Sequence, residues 1–262
     1  MEQQSQHFNS KSVAAMGDSA AAAQRDVMAL FAPLLREAAV AEFGEFEALR
    51  QHINRIRQHS LDNLDYYLAR FELEATNNGN QVHFAESSEQ LNSTVLDICQ
   101  QHEASKVAKG KSMVTEETGL NDYLMRGGLE VIETDLGEYI IQQAGETPSH
   151  IVGPALHKTR QQIRELFLEK HPLGERELET TSELVSEARS VLREHFLQAD
   201  VGIIGANALI AENGYSMLVT NEGNGDLCAN LPRVLIVCTT IDRVLPRSED
   251  ATAMQRLLVR SA

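Results

Sequence analysis

"DVGIIGA", residues 200–206, decides the fold class. Its apolar residues follow one another without the in–out alternation of a half-exposed strand. A short continuous apolar run is the pattern of a strand covered on both faces. "RVLIVCT" (233–239) repeats it. Working outward, "KVAKG" (106–110), "EVIETD" (130–135) and "HIVGPA" (150–155) read as further strands, as does "QVHFA" (81–85). Between them lie helical patterns at 87–104, 115–128, up to Phe167, and 181–199. The last carries a capping-box spacing at Thr180 and Glu183. Strands alternating with helices predict an α/β fold, a mainly parallel sheet with flanking helices. "ALIAE" and "YSMLVT" flank Asn213-Gly214, which predicts a type I′ hairpin and one antiparallel element.

The remaining chain organises around this core, expected over 80–246. Residues 1–19 are polar and small and are expected to be a disordered tail. Residues 20–79 are expected to be helical. Within them Phe46, Leu49, Ile53, Ile56, Leu64, Tyr67 and Phe71 make one apolar stripe, read as a single long helix. Residues 247–262 read as the start of a C-terminal helix.

The chain has 23 Lys and Arg against 38 Asp and Glu among 262 residues, a formal charge of −15. That balance argues against nucleic acid and anionic membranes as partners. The longest apolar run, Val201 to Ala211, is too short to span a bilayer. Cys99, Cys228 and Cys238 form no CxxC pair, so a reducing, cytoplasmic setting is expected. Four thiolates are the usual ligand set of an iron–sulfur cluster, so no such cofactor is expected in this chain. The histidines lack metal-ligand spacing, and no metal site is expected.

Three segments could carry chemistry. "VAKGKSMVTEE" (107–117) puts Lys109, Lys111 and Ser112 between a strand and a helix, with Thr115 as the expected helix cap. Free N–H groups and the helix dipole favour an anion there; the alternative is a capped helix with solvated lysines. "PSHIVGPALHKTR" (148–160) puts His157 and Lys158 at the next strand end, as ligand contacts or as structural residues. "ETDLGEYIIQ" (133–142) places Glu133, Asp135 and Glu138 in a strand-to-loop segment, read as a solvated acidic face or as partners of lysines rather than as catalytic acids. Asn207, Glu212, Asn221, Glu222 and Asn224 crowd the hairpin and the "NEGNG" that follows it, where glycines would let the backbone approach a ligand.

"KGKSMVTEE", "ETDLGEYIIQ", "PSHIVGPALHKTR", "ADVGIIGAN" and "VTNEGN", in this order, resemble the B proteins of lactate-utilisation systems, in the LUD-domain group. The likeness spans roughly residues 45–260. It implies a fold similar to ribose-phosphate isomerases and CoA transferases. It also implies a place in a three-protein system that oxidises L-lactate to pyruvate, with A and C proteins as partners. Members of the group continue into a ferredoxin-like part holding [4Fe–4S] clusters, and that part is expected to lie beyond this sequence. Glu212-Asn213-Gly214 also resembles the turn on which CoA transferases carry their glutamate nucleophile, which would make Glu212 catalytic.

The leading expectation is a LUD domain binding a small anionic ligand or a partner subunit. Lys109, Lys111, Ser112, His157 and Lys158 would supply donors, and Asn207, Asn221, Glu222 and Asn224 the opposite wall. The alternatives are a CoA-transferase or sugar-phosphate-isomerase-like enzyme, and a non-catalytic assembly module docking through the 46–71 helix.

Overall fold

The structure, a computed structural model, describes residues 8–17, 33–149, 153–174 and 176–261. Lys106–Lys109 (β1), Glu130–Glu133 (β2), Val201–Ile204 (β3) and Val234–Val237 (β6) form a parallel sheet in the order β2-β1-β3-β6. β1 pairs with β2 and β3, with Val107 beside Val131 and Val201. Side chains alternate across a strand, and both faces are apolar. Val107, Val131, Val201 and Ile203 face Ser88–Gln101 (α5) and Leu120–Arg126 (α7) through Val95, Cys99, Leu120 and Leu124. Ala108, Ile132 and Ile204 face Leu136–Ala144 (α8), Arg160–Lys170 (α9), Thr181–Gln198 (α10) and Asn224–Asn230 (α11). Every residue of β3 is buried, as its apolar run predicts. β6 is an edge strand: Leu235 is 42 % exposed, so burial on both faces does not extend to it. At the other edge, Gln142 of α8 donates to the Val131 carbonyl and accepts from the Glu133 N–H, closing the free side of β2.

A second sheet sits beside the first. Ala208–Ile210 (β4) pairs antiparallel with Tyr215–Met217 (β5) and parallel with Val244–Leu245 (β7). Helices cover it on both sides. Ile53 of Phe46–Asp62 (α3) and Met254 of Ser248–Ser261 (α12) pack on Ala208, Ile210 and Leu245. Leu64, Tyr67, Leu68 and Phe71 of Leu64–Asn77 (α4) pack on Leu209, Ala211 and Val244. The amphipathic stripe at 46–71 therefore covers this chain's own second sheet.

Several local expectations change. The 46–71 stripe lies on two helices, because Asn63 breaks them: its side chain donates to the His59 carbonyl and diverts the backbone. Residues 81–85 are not a strand; they have no pairing partner and Phe84 is 48 % exposed. The 115–128 helix divides into Met113–Glu117 (α6), which starts after Ser112 with no side-chain cap bond, so Thr115 lies inside it, and α7, because Gly119 takes a left-handed φ of 65° between them. Residues 136–144 are helical (α8) where a strand-to-loop segment was expected, and 224–230 form a further helix (α11). Of the expected strand 150–155, residues 150–152 lie outside the described residues and 154–157 form a turn. Within the expected tail, Phe8–Gly17 is a helix (α1), consistent with the helix preference of its alanines, and 33–42 are helical (α2) within the 20–79 region; residues 1–7 and 18–32 lie outside the described set. The hairpin is not type I′, since only Gly214 has positive φ. Its loop widens to four residues because the N–H groups of Ala211 and Glu212 donate to the Leu245 and Pro246 carbonyls. Among the described residues no helix is long and apolar enough to cross a membrane.

Candidate functional site

In parallel β–α–β units the loops that follow the strands collect at one end of the sheet, where α/β folds place their ligands. Here that end gathers residues 110–112 after β1, 134–135 after β2, 205–207 after β3 and 238–240 after β6. Backbone hydrogen bonds tie three of these loops. Gly110 N–H donates to Ile203, Thr134 N–H to Lys109, and Cys238 N–H to Ile204. Close approach is built in at Gly205, where a Cβ would lie 3.1 Å from Ser112 Oγ. Ser112 is 6 % exposed and directs its carbonyl to the Glu116 N–H and the Thr115 hydroxyl.

Charge at this end is organised in two layers. In the inner layer Lys109, with no exposed surface, sends Nζ to Glu133 Oε1 at 2.6 Å and to Glu116 Oε1 at 3.2 Å, and Asn121 adds an amide donor to Glu133 at 2.5 Å. Burial alone would lower the ammonium's pKa, but the two carboxylates outweigh it and hold Lys109 cationic. One ammonium cannot neutralise two carboxylates. Burial accordingly pushes the Glu133 carboxyl up against the pull of Lys109. Its Oε2 is buried without a partner.

The outer layer joins Lys111 to α8. Lys111 Nζ lies 3.0 Å from Glu138 Oε1, with side chains 28 % and 7 % exposed. Asp135 caps α8 by accepting from the Gly137 N–H, which places Glu138 in the first turn. Burial, then the neighbouring Asp135, push the Glu138 carboxyl up to about 8, against the pull of Lys111. The Glu138 Oε2 is also buried and unpartnered. Sequence reasoning left these acids either as a solvated face or as partners of lysines, and the second is what Glu133 and Glu138 do. The signal it missed was the Asp135-x-x-Glu138 spacing of a helix start.

The other expected residues are placed differently. The turn 153–157 packs onto α8 through Pro154, 2.9 Å from where a Gly137 Cβ would sit. His157 bonds Ser149 Oγ at 2.8 Å and Glu146 Oε2 at 2.7 Å, and Lys158 also binds Glu146. These two residues thus grip the segment just beyond α8. Asn207 is a latch on the hairpin: its N–H donates to Met217 and its Oδ1 accepts from the Val219 N–H. Asn221 and Glu222 are exposed ahead of Gly223, whose φ of 78° opens α11 at Asn224. Since α11 leads back into β6, this turn lies at the carboxyl end of the sheet.

Glu212 stands apart. It is exposed, and its Oε2 accepts from the Ser248 N–H at 3.0 Å and the Ser248 hydroxyl at 3.2 Å, bonds that lower its pKa. It caps α12. Asn213 Nδ2 donates to the same hydroxyl, Asn78 donates to the Asn213 carbonyl, and a Cβ on Gly214 would collide with the backbone of Ala75. The Glu-Asn-Gly turn is a clasp between α4 and α12.

The three thiols are not brought together. Cys99 and Cys238 lie on one face of the sheet and Cys228 on the other, and burial pushes all three up to about 11.

The LUD domain family matches residues 68–262. The lactate utilization protein B of Bacillus velezensis is 48 % identical over 225 residues, 86 % of this chain and 47 % of that protein. Those of Bacillus subtilis, at 44 % over 225 residues, and Oceanobacillus iheyensis, at 46 % over 221, cover 86 % and 84 % of this chain and 47 % and 46 % of their own. The chain thus spans about half the length of the curated relatives it matches. No solved structure matches it.

Proposed function

Because the chain belongs to the LUD-domain family, we propose that it supplies the LUD part of a lactate-utilisation protein of the B kind. It acts in the cytoplasm within a multi-protein system that oxidises L-lactate to pyruvate, with A and C proteins as partners. Its own task is to bind a small anionic ligand at the carboxyl ends of β1, β2 and β3. Electron transfer belongs to [4Fe–4S] clusters on other segments of the system. The observation that carries this reading is Lys111, a partly exposed ammonium beside Ser112 and the N-terminus of α8. A carboxylate exchanging with Glu138 would meet the ammonium, the helix dipole and the hydroxyl together. His157 and Lys158 form the flank beyond α8, and Asn221, Glu222 and Asn224 the facing rim.

Calorimetric titration of the chain with L-lactate, pyruvate and acetate tests the reading. Loss of Lys111 removes a charge-assisted bond of about 1.5–3 kcal/mol, so Lys111→Ala should weaken binding by roughly ten- to a hundredfold. Ser112→Ala should weaken it less. Undiminished binding in Lys111→Ala and His157→Ala alike refutes the site.

A further inference from the structure

Four carboxyl groups, Glu116, Glu133, Asp135 and Glu138, stand around two ammonium groups, Lys109 and Lys111, at the carboxyl end of the sheet. An anion entering this site adds a negative charge where acids already outnumber cations. It must therefore bring or retain a proton, and the geometry singles out where. Lys109 is sealed and committed to Glu133 and Glu116. Lys111 is the partly exposed cation, and its carboxylate partner is Glu138. Glu138 is 6 % exposed, and its second oxygen is buried without a partner. An anion that takes Lys111 from Glu138 strips that carboxylate of its cation and leaves it buried beside Asp135. A buried carboxylate in that position is stable only when protonated.

We propose that Glu138 is the proton acceptor of the anion site, so that a monoanion binds together with one proton placed on the Glu138 carboxyl. The inference rests on the anion-binding reading above and adds the stoichiometry and the residue. The charges facing Glu138 are Lys111 from the β1–α6 loop and Asp135 from the β2–α8 turn. Lys109 and Glu133 stand in the layer behind. α9, packed along α8, directs Arg164 to Glu179, and the turn at 153–157 brings His157, with Lys158 after it, to Glu146. The ligand-free carboxyl, at about 8, is already mostly protonated at neutral pH. Proton uptake thus shows itself in alkaline solution.

Titration of the full chain with L-lactate at pH 8.5–9, in buffers of different ionisation enthalpy, reads the protons taken up per anion bound. Uptake approaching one is expected. The dissociation constant should rise toward tenfold per pH unit above pH 8. In Glu138→Gln, which keeps the shape without the proton, uptake should vanish and the pH dependence flatten. Binding that depends on Lys111 but takes up no proton overturns this inference and leaves the anion site standing. Absence of binding for L-lactate, acetate and inorganic phosphate alike overturns both. Carboxyl carbon NMR checks the residue directly: a Glu138 midpoint that does not rise when L-lactate binds also overturns the inference.

Discussion

Replacing Lys109 with methionine tests the electrostatics of the inner layer. The side chain has no exposed surface, and Met fills a similar volume, so the change removes charge and little packing. It leaves Glu133, 3 % exposed, with the Asn121 amide as its remaining side-chain donor. Removing one partner of a buried ion pair costs about 3–5 kcal/mol. In a protein of this size each kcal/mol moves Tm by roughly 2–4 °C, so a fall of roughly 6–20 °C is expected. The cost should depend on pH in a definite sense. Without Lys109 the folded-state pKa of Glu133 rises further above its unfolded value, so the folded state binds more protons and stability falls as pH rises. The variant should therefore lose more stability at pH 8 than at pH 5, relative to the parent. Thermal unfolding followed by circular dichroism at both values, with Glu133→Gln and the double variant, completes the cycle. The double variant should recover much of the loss, because the uncompensated carboxylate is gone. A cost below about 1 kcal/mol that is independent of pH, or strict additivity in the double variant, refutes the account.

Gly202→Ala should cost more than about 3 kcal/mol, since its Cβ would collide with the Cys228 carbonyl oxygen where α11 crosses β3; denaturant unfolding measures it. Tyr139→Phe removes the buried 2.9 Å bond to His171 Nε2 and should cost about 1–2 kcal/mol in the same assay. Burial lowers the His171 pKa despite Glu187 at 3.2 Å, so the unfolded chain binds its proton first. Stability should therefore decline as pH falls below about 6.5, and His171→Gln should flatten that decline. Glu212→Ala should speed amide hydrogen exchange at residues 248–251 by uncapping α12 and leave anion binding intact. Lost anion binding with unchanged exchange would instead restore Glu212 to the site.

The parallel sheet was legible because burial on both faces writes itself into sequence as continuous apolar runs, as in β3. β6 shows the limit: the same run sits at an edge with Leu235 exposed. The second sheet was half legible. Its hairpin announced itself through Asn213-Gly214, but β7 is two residues long and its partner lies 35 residues away in sequence, so no local pattern marks it. That unseen strand widened the turn. The site divides the same way. Lys109, Lys111 and Ser112 could be set at the carboxyl end of the sheet from their place after a strand, which is a rule of topology. Their pairing with Glu133 and Glu138 was one of two readings of those acids, and the register of β1 against β2 and the start of α8 decide for it. His157 and Lys158 offered hydrogen-bond donors, and both meet a nearby acid, Glu146.

The second sheet also dictates an order of events during synthesis. Ile53 of α3 and Phe71 of α4 are early in the chain, yet the strands and helix that cover them extend from Ala208 to Met254. Contacts of such sequence separation form late, after the loop between them has closed. While the ribosome builds the four-stranded sheet, the apolar stripes of α3 and α4 have no native surface to rest on. They are the segments a nascent-chain chaperone would meet first, and they find cover only when β7 and α12 emerge.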